Sequence, residues 1–395
     1  MTSKLNLDSI NQNVFMLSSN NKNNIAFIIS DIDFLISHRL DLILKLSETQ
    51  NISVITDVNI SRHLNQQIEV KLAPIHIIHL PKRKARNIFS AIKYVINLFR
   101  IIFFNDFKKI FFVTLELSLI GAILKIAFLK TKFFFLITGF GPYLNIKNGQ
   151  LSKIVKIVFF ISQKIAQPTF ILQNEYDQDI LLSQLKLSKS NLKIIRGSGI
   201  EISSLAEKIY PQRCTFIMVG NLFNSKGVNE YLKASKQLTH KYRYHDYPPI
   251  FLLAGKYDPT NFDSISEDVY EEITSNSPVS YLGYLGRDQL FEALSKSSVF
   301  VLPSYAEGLP KAALEAGIHF LPLVLSDIPG NQACIQMNRS GYFARPKDPE
   351  SLADAMDKFI NNQQSISDMG KASANHMKST FSLDKIVSHY SSLIK

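Results

Sequence analysis

The chain has only two cysteines, Cys214 and Cys334, far apart and without the paired spacing of a zinc site. A reducing cytoplasm is the simplest setting for so few thiols. A secretory leader is also missing from the pattern: residues 1–24 are rich in Asn and Ser and lack a continuous apolar core, so no signal peptide is expected. Long apolar runs are absent. The longest stretch free of charge, Phe133 to Ile146, contains Gly139, Gly141 and Pro142 and falls short of the ~20 residues that a spanning helix needs. It reads as a buried strand and loop. There is no short-period repeat and no low-complexity tract. A hydrophobic fraction of 46% with 19% charged residues marks a globular chain and argues against disorder.

At 395 residues the chain is too long for one ordinary core and fits two domains of about 200 residues each. Apolar runs alternate with helical patterns throughout. Expected strands include Ile25–Ser30, Ile52–Thr56, Ile110–Val113 and Phe133–Ile137 in the first half. In the second half they are Thr215–Val219, Ile250–Ala254, Val279–Leu282, Val299–Leu302 and Leu321–Leu325. Helices are expected over Phe34–Ser47, Val228–Thr239 and Arg287–Ser295. This is the rhythm of parallel sheets and predicts two Rossmann-like domains joined near Ser203–Arg213.

Net charge is +11, and it is unevenly shared. Residues 1–205 carry 25 Lys and Arg against 13 Asp and Glu, whereas residues 206–395 carry 19 against 20. Much of the excess lies between Lys82 and Lys109, where Lys82, Arg83, Lys84, Arg86, Lys93 and Arg100 interleave with apolar residues. Two readings fit: a helix lying on an anionic membrane, or an amphipathic helix packed on the sheet. A nucleic-acid partner is not expected, because no binding motif accompanies the charge.

The stretch Tyr305-Ala-Glu-Gly-Leu-Pro-Lys-Ala-Ala-Leu-Glu-Ala-Gly317 places Glu307 in a loop and Glu315 in the helix that follows. The run Val299–Leu302 precedes it, and Pro310 can occupy the first helical turn. A strand, loop and helix of this kind aims unpaired N–H groups at a ligand above the strand end, which favours phosphate. Carboxylates bind phosphate poorly and hydroxyls well. The combination suits a nucleotide sugar.

These residues resemble the signature of the retaining glycosyltransferases of family 4, two glutamates separated by seven residues, with Glu307-Gly308-Leu309-Pro310 as its opening. Phe216-Ile-Met-Val-Gly-Asn-Leu-Phe-Asn-Ser-Lys-Gly227 resembles the strand and loop that grip the diphosphate. Leu253-Ala-Gly255, Tyr281-Leu-Gly-Tyr284 and Asp327-Ile-Pro-Gly330 add to the match. In the first half, Phe34-Leu-Ile-Ser-His-Arg-Leu40, Gln173-Asn-Glu-Tyr-Asp177 and Gly197-Ser-Gly-Ile-Glu201 resemble the branch that builds capsule and O-antigen polysaccharides.

The resemblance implies an α/β chain of GT-B fold, with two Rossmann-like doubly wound domains facing each other across a cleft. The expected domains are 1–205 for acceptor and membrane, 206–380 for the nucleotide sugar, and a C-terminal helix, 381–395, crossing back onto the first domain. It implies catalytic roles for Glu307, at the donor sugar, and Lys226, at the diphosphate. Glu315 is expected at the ribose hydroxyls, and Gly308, Leu309, Pro310 and Lys311 at the phosphates. The family carries an arginine after the strand-end glycine; Asn221 stands there and removes a charge. Gly139, in Thr138-Gly-Phe-Gly141, is implied as a second donor contact, and His38 and Arg39 as acceptor contacts. The implied reaction moves a sugar, with retention, from a UDP sugar to a polyprenyl-diphosphate-linked oligosaccharide. No cofactor or metal is required, since Lys226 and helix amides hold the diphosphate. Asp31-Ile-Asp33 is read as a helix N-cap region. Two alternatives remain: a sugar-nucleotide 2-epimerase of the same fold, and a degenerate sugar-nucleotide-binding scaffold.

Overall fold

The computed structural model describes residues 24–58, 72, 74–81, 87–140, 144–145, 150–185, 187–202 and 208–395. The chain divides into two compact units, one of residues 1–199 with 386–395 and the other of residues 200–385.

Unit 1 is built on a parallel sheet of β1 (Asn24–Ile28), β2 (Asn51–Thr56), β3 (His76–His79), β4 (Lys109–Val113), β5 (Lys132–Ile137), β6 (Thr169–Leu172) and β7 (Leu192–Ile194). The order is β3-β2-β1-β4-β5-β6-β7, so the path reverses between β1 and β4. Both faces are covered, which is why β4 reads Lys-Ile-Phe-Phe-Val with every residue buried. Alternate side chains split the phenylalanines between the faces. Phe27, Phe111 and Phe134 stack on one face, with ring centroids 4.5 and 4.4 Å apart. Phe112, Phe135 and Phe170 belong to the other, where α2 (Ile88–Phe104), α3 (Leu115–Leu124), α4 (Lys153–Ala166) and α5 (Glu175–Leu185) pack as one core.

The first helix, α1 (Leu40–Ser47), does not run unbroken from Phe34 as expected. Asp31 caps a short turn, Ile32–Phe34, by accepting from the Phe34 amide at 2.8 Å, and a π turn over Leu35–Arg39 follows. The π turn carries one extra residue, which rotates what lies beyond it by about 100° relative to an uninterrupted helix. From the far end of the sequence, α12 (Leu383–Ile394) supplies Tyr390, whose ring lies over Phe27 and Phe111 at 6.5 and 5.9 Å.

Unit 2 repeats the plan with β8 (Thr215–Val219), β9 (Ile250–Ala254), β10 (Val279–Tyr281), β11 (Val299–Leu302), β12 (Leu323–Ser326) and β13 (Gly341–Ala344), in the order β10-β9-β8-β11-β12-β13. Its helices are α6 (Val228–Lys241), α7 (Glu267–Ser275), α8 (Arg287–Ser295), α9 (Lys311–Ile318), α10 (Pro349–Asn361) and α11 (Gln364–Phe381). The path reverses between β8 and β11. Loops beyond the carboxyl ends of strands at such a point form a natural ligand crevice.

Candidate functional site

The loop after β8 and the loop after β11 meet at that reversal. Gly227 closes the first loop with φ +76°, and an added Cβ there would lie 2.2 Å from the Pro303 carbonyl oxygen. Only glycine lets α6 start so close to the end of β11. The Tyr305 amide donates to the Ser225 carbonyl at 2.8 Å, joining the two loops through the backbone. A third loop braces them from behind: the Asn224 amide donates to the Asp263 carbonyl at 2.7 Å, and the Ser225 hydroxyl donates to the Asp263 carboxylate.

This frame brings Lys226 and Glu307 together. The Lys226 ammonium donates to Glu307 Oε1 at 2.7 Å, with the Glu307 side chain 11% exposed. Three residues on, Pro310 caps α9 rather than entering its first turn, one position from the expected boundary. Lys311 then opens the helix, 3.6 Å from Glu315 one turn later. Two cations and two carboxylates thus line the crevice in pairs. Asn221 is exposed at the end of β8.

Some supports were not picked out from the sequence. The Tyr305 hydroxyl donates to Glu230 Oε1 at 2.7 Å, and burial followed by this contact pushes its pKa up. Gly330, in the Asp327-Ile-Pro-Gly segment, is so close to the Glu307 loop that a Cβ would lie 1.9 Å from the Glu307 carbonyl oxygen. The short helix from Pro329 to Gln332 therefore backs the loop that carries Glu307. Only the sequence proximity of Tyr305 to Glu307 hinted at its part.

Among the residues expected in unit 1, burial overturns the placing of Arg39. Gly139 follows β5 with φ +136°. His38 is exposed on the π turn, its ring stacked on Phe34 at 4.7 Å and its Nδ1 2.6 Å from the Ser37 hydroxyl. Arg39, expected at the acceptor, is instead buried at 4% exposure. The π turn rotates it inward, beside the Tyr390 hydroxyl, where burial holds its pKa down. A guanidinium in that position holds α12, and no acceptor can reach it without opening the core. Asn174 and Asp177 form a reciprocal cap on α5: the Asp177 amide donates to Asn174 Oδ1 at 2.8 Å and Asn174 Nδ2 donates back at 3.1 Å. Burial raises the Asp177 pKa to about 6.

Lys93 and Arg100 are exposed on α2, while Lys82, Arg83, Lys84 and Arg86 lie outside the described residues. Among the described residues no helix is long and apolar enough to cross a membrane. The same residues contain no cluster of three or more His, Cys, Asp or Glu able to hold a metal ion.

Residues 201–376 match the family model described as glycosyl transferases group 1. The chain is 25% identical over 251 residues to the UDP-Gal:alpha-D-GlcNAc-diphosphoundecaprenol alpha-1,3-galactosyltransferase of Escherichia coli, covering 60% of this chain and 62% of that protein. It is 24% identical over 263 residues to the N,N'-diacetylbacillosaminyl-diphospho-undecaprenol alpha-1,3-N-acetylgalactosaminyltransferase of Campylobacter jejuni, covering 61% and 64%. The matched region therefore spans less than two thirds of either relative. Among solved structures, sucrose-phosphate synthase from Thermosynechococcus elongatus superposes over 94% of this chain and 98% of its own, with TM-score 0.74 and 17% identity. Anabaena HepE in complex with UDP and glucose covers 94% and 99%, with TM-score 0.73 and 14% identity. The chain has the GT-B fold, and the match to glycosyl transferases group 1 falls on its second unit.

Proposed function

We propose that this protein is a retaining glycosyltransferase of family 4 that transfers a sugar from a nucleotide donor, a UDP sugar, to a polyprenyl-diphosphate-linked oligosaccharide during synthesis of a bacterial surface polysaccharide. The observation that carries the reading is the paired arrangement of Lys226 with Glu307 and Lys311 with Glu315 around the start of α9. In partly buried ion pairs such as these, desolvation offsets much of the Coulomb attraction, so the net gain is small. Charge-assisted hydrogen bonds to a diphosphate are worth about 1.5–3 kcal/mol each. An entering donor therefore takes the lysines and frees both carboxylates for hydroxyls, Glu315 for the ribose and Glu307 for the transferred sugar.

Lys226, Lys311 and the amides of Gly308, Leu309 and Lys311 then stabilise the charge that builds on the diphosphate as the sugar–oxygen bond breaks. Asn221 contributes a hydrogen bond without charge, so the lysines carry more of this work. The departing phosphate oxygen takes the acceptor proton on the same face of the sugar, which gives retention without a separate base or a resident metal. A lipid-linked acceptor is supported by the named activities of the Escherichia coli and Campylobacter relatives. Peripheral attachment at the cytoplasmic membrane follows from that substrate, and exposed Lys93 and Arg100 suit an anionic surface. The 2-epimerase alternative finds no support in these relatives. A non-catalytic scaffold, suggested by Asn221, predicts nucleotide binding without turnover.

The test is to incubate the protein with a panel of nucleotide sugars and extracted lipid-linked oligosaccharides. Transfer from a UDP sugar is expected, with the donor's anomeric configuration kept in the product by NMR and activity unchanged by a chelator. An inverted product would overturn the mechanism. Binding of UDP without transfer to any acceptor would favour the scaffold.

A further inference from the structure

The outer surface of unit 1 is apolar where a protein surrounded by water would be polar. α2 buries Tyr94, Leu98 and Ile102 against the sheet, yet its opposite side carries Phe89, Ile92, Ile96, Phe99 and Phe103 in the open. These follow steps of three and four, so they form one continuous stripe. Phe89 is 80% exposed and Phe103 62%. α4 repeats the arrangement, with Val155 and Phe159 turned in and Ile154, Ile157, Ile161 and Ile165 turned out. Between them, the C-terminal end of α3 and the turn after it expose Ile123, Ile126 and Leu129.

The three rows belong to one surface. Their helices cover the same face of the sheet through a single core, α3 packs along α4, and Phe99 of α2 meets Phe128 after α3 at 5.1 Å. Scattered exposed apolar residues are ordinary on a soluble protein; three adjoining rows are not. Within α2, α3 and α4 the charged residues are Lys93, Arg100, Lys153, Lys156 and Lys164 against Glu116 alone.

We propose that α2, α3 and α4 form a docking surface that inserts its apolar rows into the boundary between headgroups and acyl chains of an anionic bilayer. The excess of one sign favours acidic lipid and opposes a second copy of the same basic surface. α2, with 17 residues, is shorter than the ~20 a span requires and so lies in the plane of the interface. The Lys164 ammonium sits 5.7 Å from the Phe160 ring, an arrangement that keeps the charge near water while its stem follows apolar surface. Attachment thus has an apolar component that salt does not screen, beyond the charge-based attachment of the proposed transfer reaction. The inference extends that membrane placement, and its test uses neither donor nor acceptor, so its failure would leave the chemistry standing.

The chain contains no tryptophan, so one introduced tryptophan reports on its own position. Phe89→Trp, Phe103→Trp and Ile157→Trp would each be mixed with vesicles of phosphatidylcholine and phosphatidylglycerol bearing brominated acyl chains. Ile209→Trp, at a position 90% exposed in unit 2, is the control. The three unit 1 reporters should shift to the blue and be quenched, with most of the quenching surviving high salt, while the control stays unquenched. Separately, joint Phe89→Ser, Ile92→Ser and Ile157→Ser substitution should lower vesicle partitioning roughly tenfold or more, with UDP binding unchanged. Absence of quenching, equal quenching of the control, or full release by salt would overturn the proposal. So would dimers whose reporters are already blue-shifted before lipid is added, since a second copy would then cover the surface.

Discussion

Glu307 and Glu315 are both carboxylates paired to a lysine, yet their surroundings divide their work. Glu307 is held between the Lys226 ammonium and the close backbone packing at Gly330, so it is fixed where the sugar is expected to react. Glu315 stands on α9 itself, a turn beyond Lys311, where the proposed reading puts the ribose. Glu307→Gln should therefore lower kcat far more than UDP affinity. Glu315→Ala should weaken UDP binding by about 1–3 kcal/mol. Lys226→Ala should harm both. Kinetics with an authentic donor and acceptor, beside calorimetry with UDP, separate the cases; full turnover by Glu307→Gln would remove it from the mechanism. That Lys226 and Glu307 belong to one site was read from the short motifs each closes at a strand end, but the direct ion pair between them was not expected. The inward turn of Arg39 was not: a π turn leaves no mark in a hydrophobic pattern, and the partner, Tyr390, is hundreds of residues away.

Among elements, most inner strands were legible, though β6 was missed, and of the four edge strands of the two main sheets only β10 was expected. β4 and β11 are buried on both sides, so their sequences are continuous apolar runs. β3, His76-Ile-Ile-His79, β7 and β13 lie at sheet edges, where shorter and more polar sequences carry little signal. The basic segment left two readings open: one side of α2 packs on the sheet, as the second has it, and the other side is exposed. α4 escaped notice because its apolar residues are split between two faces in the same way. At the candidate site the element that matters most is the short helix behind Glu307. Gly330→Ala would force a methyl group into the Glu307 carbonyl, which must move with its loop. Transfer should fall by an order of magnitude or more while UDP binding through Glu315 persists. Unchanged kinetics in that variant would show that the loop adapts.

The two units are unequal in how they are completed. The second is assembled from one continuous stretch, residues 200–385, whereas the first needs residues 386–395 as well. Tyr390 is fully buried there over Phe27 and Phe111, and the Lys109 ammonium donates to the Ile394 carbonyl. Tyr390→Ala opens a cavity worth about 3–5 kcal/mol and removes the polar neighbour of Arg39. Urea unfolding should show the first unit melting earlier while UDP still binds the second; a single unshifted transition would mean that α12 is dispensable. The two-unit plan itself was legible from alternating strands and helices. The route of the final helix came only with the family resemblance, since its amphipathic pattern does not name the surface it covers.

That route sets a timetable during synthesis. At about 5–20 residues per second, the rings of Phe27 and Phe111 wait roughly 10–40 s after Gly199 is made before Tyr390 exists to roof them. Throughout that interval the earlier unit lacks its last helix, and the later unit is complete only five residues before Tyr390. A nascent chain with one sheet face open and three apolar helix rows outside is the form of this protein that most needs a chaperone or a membrane beside the ribosome.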